Sequence, residues 1–125
     1  MRIDEFDPLY EMSWFNSSDT GLPPGIDIWL RSDPKDHGHS RYRLKVDRNN
    51  IPAGIFLISS NPRMIKTLKS KLSSKEKIAI LEFIKDNAQI LINHIDAKLS
   101  SVGCGMEIQK NRGVLGGPTG MKKYL

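Results

Sequence analysis

From Ser73 to Leu99 apolar residues return with the period of an α-helix, and no proline or glycine intervenes before Gly103. Ile78, Leu81, Ile84, Ala88, Leu91, Ile92, Ile95 and Leu99 fall in one stripe at about 100° per residue. Ile80, Phe83, Ile90 and His94 form a second strip beside it, and Lys75, Glu82, Asp86, Gln89, Asn93 and Asp96 share the opposite side. Ser73-Ser74-Lys75-Glu76 fits a capping box, with Ser73 as N-cap and Glu76 reaching back. The predicted helix is about 40 Å long. An apolar arc this wide calls for two neighbours, such as a sheet and a second element.

Upstream the period changes from helical to alternating. Ile26, Ile28 and Leu30 alternate with Asp27, Trp29 and Arg31, which predicts a strand with the first set inward. Arg41–Val46 predicts a second strand, with Tyr42, Leu44 and Val46 inward and Arg41, Arg43 and Lys45 outward. The loop 32–39 is too short for a parallel crossover, so the two strands pair antiparallel. Asp47–Asn50 is turn-like, and Gly54–Ser59 is a continuous apolar run that reads as a strand covered on both faces. Asn61-Pro62 ends it. Met64, Ile65, Leu68 and Leu72 then have the spacing of a short helical turn within the basic segment Arg63–Lys71. The fold expected is α+β: an antiparallel sheet of about three strands packed on one long amphipathic helix.

The ends read differently from this core, which gives a division at 1–24, 25–101 and 102–125. The leader is acidic and aromatic, with Phe6, Tyr10, Trp14 and Phe15. Asp7-Pro8 looks like a helix start, and Leu9, Met12 and Phe15 share a helical face. Residues 16–25 are a breaker cluster suited to a linker. Trp14 and Phe15 either cap the domain's own core or arm a partner contact. The tail is glycine-rich, with at most one short strand around Met106–Gln109.

The 125 residues suit one domain, and 38% apolar content with a mean hydropathy of −0.40 is enough for a compact core. No run suggests a membrane span or signal peptide. A lone cysteine, Cys104, gives no internal disulfide and points to the cytoplasm. Net charge is +5, unevenly spread. Residues 1–24 hold one basic and five acidic side chains, whereas residues 25–125 hold eighteen and nine. A basic body suggests an anionic partner, although the acidic leader could lie across it instead.

Arg41, Arg43 and Lys45 on one strand face are about 6.5–7 Å apart, near the spacing of successive phosphates. Trp29 projects from the neighbouring strand, so an indole can stack a base while the cations neutralise phosphate. Trp29, Arg31, Arg41, Arg43 and Lys45 are thus the candidate site for nucleic acid or a nucleic-acid-handling protein, with an ordinary solvated face as the bland alternative. Lys66, Lys69 and Lys71 extend the patch if their segment folds to that side. His37 and His39 offer an alternative site, as acid and base in RNA cleavage, or with Asp33 or Asp36 around a metal. No third ligand is assured, so neither a metal nor a cofactor is expected. The glycines of 113–122 lack the Gly-Lys-Ser/Thr ending of a phosphate loop. Cys104 has no activating base in sequence.

A strand, a loop bearing His37-x-His39, a second strand, an apolar third strand and a helix running Leu72-Ser73-Ser74-Lys75-Glu76 to Ile80-Leu81-Glu82-Phe83-Ile84-Lys85-Asp86-Asn87 come in that order. Over about residues 25–99 this resembles a family of small prokaryotic proteins of unknown function, often described as toxins of toxin–antitoxin pairs. The resemblance implies a toxin-like role, and a phage or mobile-element interaction protein suits the same features; the wide apolar arc of the long helix is a further candidate interface, for an antitoxin or a second copy. The reading that the residues favour is a non-enzymatic binding module, with a toxin-like ribonuclease as the alternative.

Overall fold

A computed structural model of the chain describes residues 11–32 and 42–113. Five strands and three helices follow in the order β1 (Glu11–Phe15), α1 (Ser17–Thr20), β2 (Ile26–Ser32), β3 (Arg43–Arg48), β4 (Ile51–Leu57), β5 (Arg63–Thr67), α2 (Ser74–Ile95) and α3 (Ser101–Asn111). The strands form one antiparallel meander in sequence order. The α+β class is as the periodicity predicts, but the sheet has five strands instead of about three.

The inner face of the sheet holds Ile26, Ile28, Leu30, Leu44, Val46, Phe56 and Ile58, all essentially inaccessible. Against it α2 buries Ile80, Phe83, Ile84, Leu91 and Ile95. Each such side chain contributes roughly 1.5–3 kcal/mol on leaving water. The buried stripe runs through Ile80, Phe83 and Ile84, while Ile78 at its predicted start is 56% exposed. Both ends of α2 are pinned to β3 or its entry. Arg48 Nε donates to the Glu76 carboxylate at 3.1 Å, and Tyr42 Oη donates to Asp96 at 3.1 Å. The helix therefore runs antiparallel to β3.

The capping box forms as predicted: Ser73 Oγ accepts from the Glu76 amide, and Glu76 Oε1 accepts from the Ser73 amide. The helix ends short of Leu99. Asp96 is its C-cap and Ala97 turns left-handed at φ 62°. The Lys98 amide then reaches Asn93 O and the Ala97 amide reaches His94 O, the two bonds of a Schellman motif. That reversal redirects the chain so that α3 packs back on α2. There Asn111 Nδ2 donates to Asp86 O and Asn87 Oδ1.

Three segments differ from expectation. Residues 11–15 are not helical. They form edge strand β1, five residues in register with β2, so part of the supposed arm belongs to the sheet. Helical spacing of Met12 and Phe15 is outweighed by strand pairing that buries Ser13 and Phe15. Arg63–Thr67 is likewise strand, not helical turn. A bulge opposite Ile55 and Phe56 inserts Ile65, and this extra residue breaks the alternation that would have marked the strand. Finally, the tail supplies helix α3 where a short strand was expected at Met106–Gln109. Ser100 caps it by accepting from the Gly103 amide, and Cys104 and Ile108, one helical turn apart, are buried.

Candidate functional site

Antiparallel register lines up one row of residues across the outer face of the sheet: Trp14, Trp29, Lys45, Ile55 and Lys66, each opposite the next. At about 4.8 Å per strand the row is about 19 Å long. Beside it, Arg43 lies opposite Leu57, which lies opposite Arg63. Helix α2 covers the inner face, so these residues belong to the open side.

The indoles of Trp14 and Trp29 are neighbours, with centroids 6.3 Å apart and planes tilted by 35°. Each is anchored through its N–H. Trp14 Nε1 donates to Asp27 Oδ2 at 3.0 Å, and Trp29 Nε1 donates to Asp47 Oδ2 at 3.0 Å. The two aspartates are themselves directly opposite across β2 and β3. Asp47 Oδ1 is buried, with no hydrogen-bond partner among the described residues and Lys45 Nζ at 3.8 Å. Lys45 Nζ also stands 5.7 Å from the Trp29 ring centroid, within cation–π range. Lys45 thus offsets the carboxylate and covers part of Trp29, which is half-buried. Trp14 remains 51% exposed and presents a free ring surface.

Trp29, Arg43 and Lys45 therefore gather as alternation predicts. Arg31 lies two positions beyond Trp29 in β2, its Cα opposite Met12. Arg41, His37, His39, Asp33 and Asp36 lie outside the described residues. Among the lysines considered as an extension, Lys66 joins the row, whereas Lys69 and Lys71 follow β5 in an exposed segment. Sequence reasoning missed two contributors. Trp14 was hidden by the helical reading of its segment, and Arg63 by the misread β5. The aromatic density of residues 6–15 was the available signal for Trp14.

Two reactive groups lie elsewhere. Burial pushes the Cys104 thiol up to about 12, which leaves it protonated and unreactive. His94 is 1% exposed, with Nε2 at 2.7 Å from Ser13 Oγ and Nδ1 at 2.7 Å from Leu99 O. Among the described residues no cluster of three metal-ligating side chains forms, and no helix is long and apolar enough to cross a membrane. Compared with known proteins, the chain matches no family model, no curated protein and no solved structure.

Proposed function

We propose that the chain is a small binding module that engages single-stranded nucleic acid through the open face of its sheet. The observation that carries this reading is the exposed Trp14 ring beside Trp29, flanked in register by Arg43, Lys45, Arg63 and Lys66. A five-stranded sheet face is too broad to enter a duplex groove as a helix or a two-stranded ribbon does. It can, however, offer stacking surface to unpaired bases while cations track the backbone. Ile55 and Leu57, both half-buried, continue the apolar strip between the cations. The aspartates sit to one side, in the Asp27–Asp47 pair, where they repel phosphate and restrict it to the Arg43–Arg63 side.

The test is fluorescence anisotropy of a labelled single-stranded oligonucleotide at low salt. Arg43→Glu with Arg63→Glu places two like charges in the phosphate path and is expected to abolish binding, with the thermal midpoint and circular dichroism retained. A folded double variant that still binds would refute the proposal. A matched duplex is expected to bind more weakly than the single strand.

A further inference from the structure

Edge strand β1, the end of α2 and the start of α3 bring together a chain of hydroxyls and an imidazole whose proton positions follow from chemistry. Leu99 O can only accept, so His94 Nδ1 carries a proton and donates to it. In the neutral ring Nε2 is then bare and accepts from Ser13 Oγ–H. Ser13 has spent its one proton, so its short contact with Ser101 is Ser101 Oγ–H donating to Ser13 Oγ. Each hydroxyl therefore points toward the base: Ser101 to Ser13 to His94. His94 and Ser13 are buried, at 1% and 4% exposure. Phe15 closes the site edge-on, 6.4 Å from the imidazole centroid. Ser101, by contrast, is half-buried and lines a groove of about 310 Å³ together with Trp14, Val102 and Met106.

We infer that Ser101 is a nucleophile for acyl transfer, taking esters of small apolar carboxylic acids in this groove. A serine activated by a base, with the base held by a third group, is the general pattern for such chemistry. Here Ser13 relays the proton and the Leu99 carbonyl orients the ring. Ser101 Oγ attacks the ester carbonyl carbon and forms the new C–O bond. Its proton passes to Ser13 as the Ser13 proton passes to His94 Nε2. The carbonyl electron pair moves to the oxygen. Ser101 and Val102 stand in the first turn of α3, where helix geometry leaves amides without intrahelical acceptors, and these receive the oxyanion. The ester C–O bond then breaks, and the departing alkoxide takes the proton back along the same chain. Water repeats the sequence on acyl-Ser101 and releases the acid. Trp14 and Met106 are 51% and 49% exposed, and with Val102 at 74% they give the acyl group an apolar seat.

The full chain should react with a fluorophosphonate probe at one site, mapped to Ser101 by peptide mass spectrometry, and should hydrolyse 4-nitrophenyl butyrate. Ser101→Ala is expected to lose both while keeping its thermal midpoint. Ser13 is a positioning residue, so Ser13→Ala should lower kcat by about a hundredfold with KM little changed. Ser13→Thr keeps a hydroxyl and should restore most of the rate. If Ser13→Ala fails to fold, the Ser101 variant and the labelled position decide alone. A native chain that takes up no probe, labelling that persists in Ser101→Ala, or a folded Ser13→Ala with full kcat overturns the inference.

Discussion

Glu76 shows how much one side chain can be asked to hold. Burial pushes its carboxyl upward, yet the Ser73 amide and the Arg48 guanidinium outweigh that and keep it below its ordinary value of 4.5. A carboxylate with a depressed folded value stabilises the fold at pH above its unfolded value. That contribution disappears as pH falls through the folded value. Glu76→Gln should therefore lower the thermal midpoint at pH 7, and the gap to the native chain should narrow as pH falls below the ordinary carboxylate range and through the depressed folded value. Equal gaps at pH 7 and pH 3 would show that the ion pair with Arg48 contributes nothing. The residue-level signals legible in the sequence were of this kind. Ser73 and Glu76 stand three apart, and Trp29, Arg43 and Lys45 sit at outward positions of alternating strands. Trp14 was not legible, because an indole's direction depends on whether its segment is strand or helix, and local spacing favoured the wrong one.

At the scale of elements, α2 was readable to its first residue because its cap is local chemistry. Its end was not, because Ala97 occupies a left-handed position that sequence statistics assign to glycine. The Cβ of a non-glycine residue there costs roughly 1–2 kcal/mol. Ala97→Gly should accordingly raise stability by about 1 kcal/mol, read by urea denaturation with an unchanged slope. A loss of stability would mean that the exposed Ala97 is held by something other than the Schellman turn. Helix α3 was misread for the opposite reason, since Gly103 and Gly105 argue against a helix. The helix forms in spite of them because it buries Cys104 and Ile108 against the core; a Cβ on Gly103 would come 2.9 Å from the flexible end of Leu99, and one on Gly105 would meet Phe15 Cε1 in ordinary contact at 3.5 Å. Tertiary contact overrides propensity in α3, and the bulge at Ile65 hides β5 in the same way. The sheet was thus undercounted at both edges, where strands are short and least regular.

For the whole molecule, the open face combines two kinds of attraction that salt separates. Phosphate neutralisation releases counterions, with a slope in log K against log salt of about −0.7 per contact for single strands. Base stacking on an indole is worth about 1–3 kcal/mol and carries almost no salt dependence. Arg63→Gln should then reduce the slope by about 0.7, and Lys66→Gln by a similar amount. Lys45→Gln should change it less, because Asp47 already stands 3.8 Å from the Lys45 ammonium and its charge is partly spent within the sheet. Trp14→Phe or Trp14→Ala should leave the slope unchanged and weaken binding at every salt concentration, by about 1–3 kcal/mol for the alanine. Measured together, these slopes locate the strand on the face. A Trp14 variant that changes only the slope, or an Arg63 variant that changes affinity without it, would place the bound strand somewhere other than across β1 to β5.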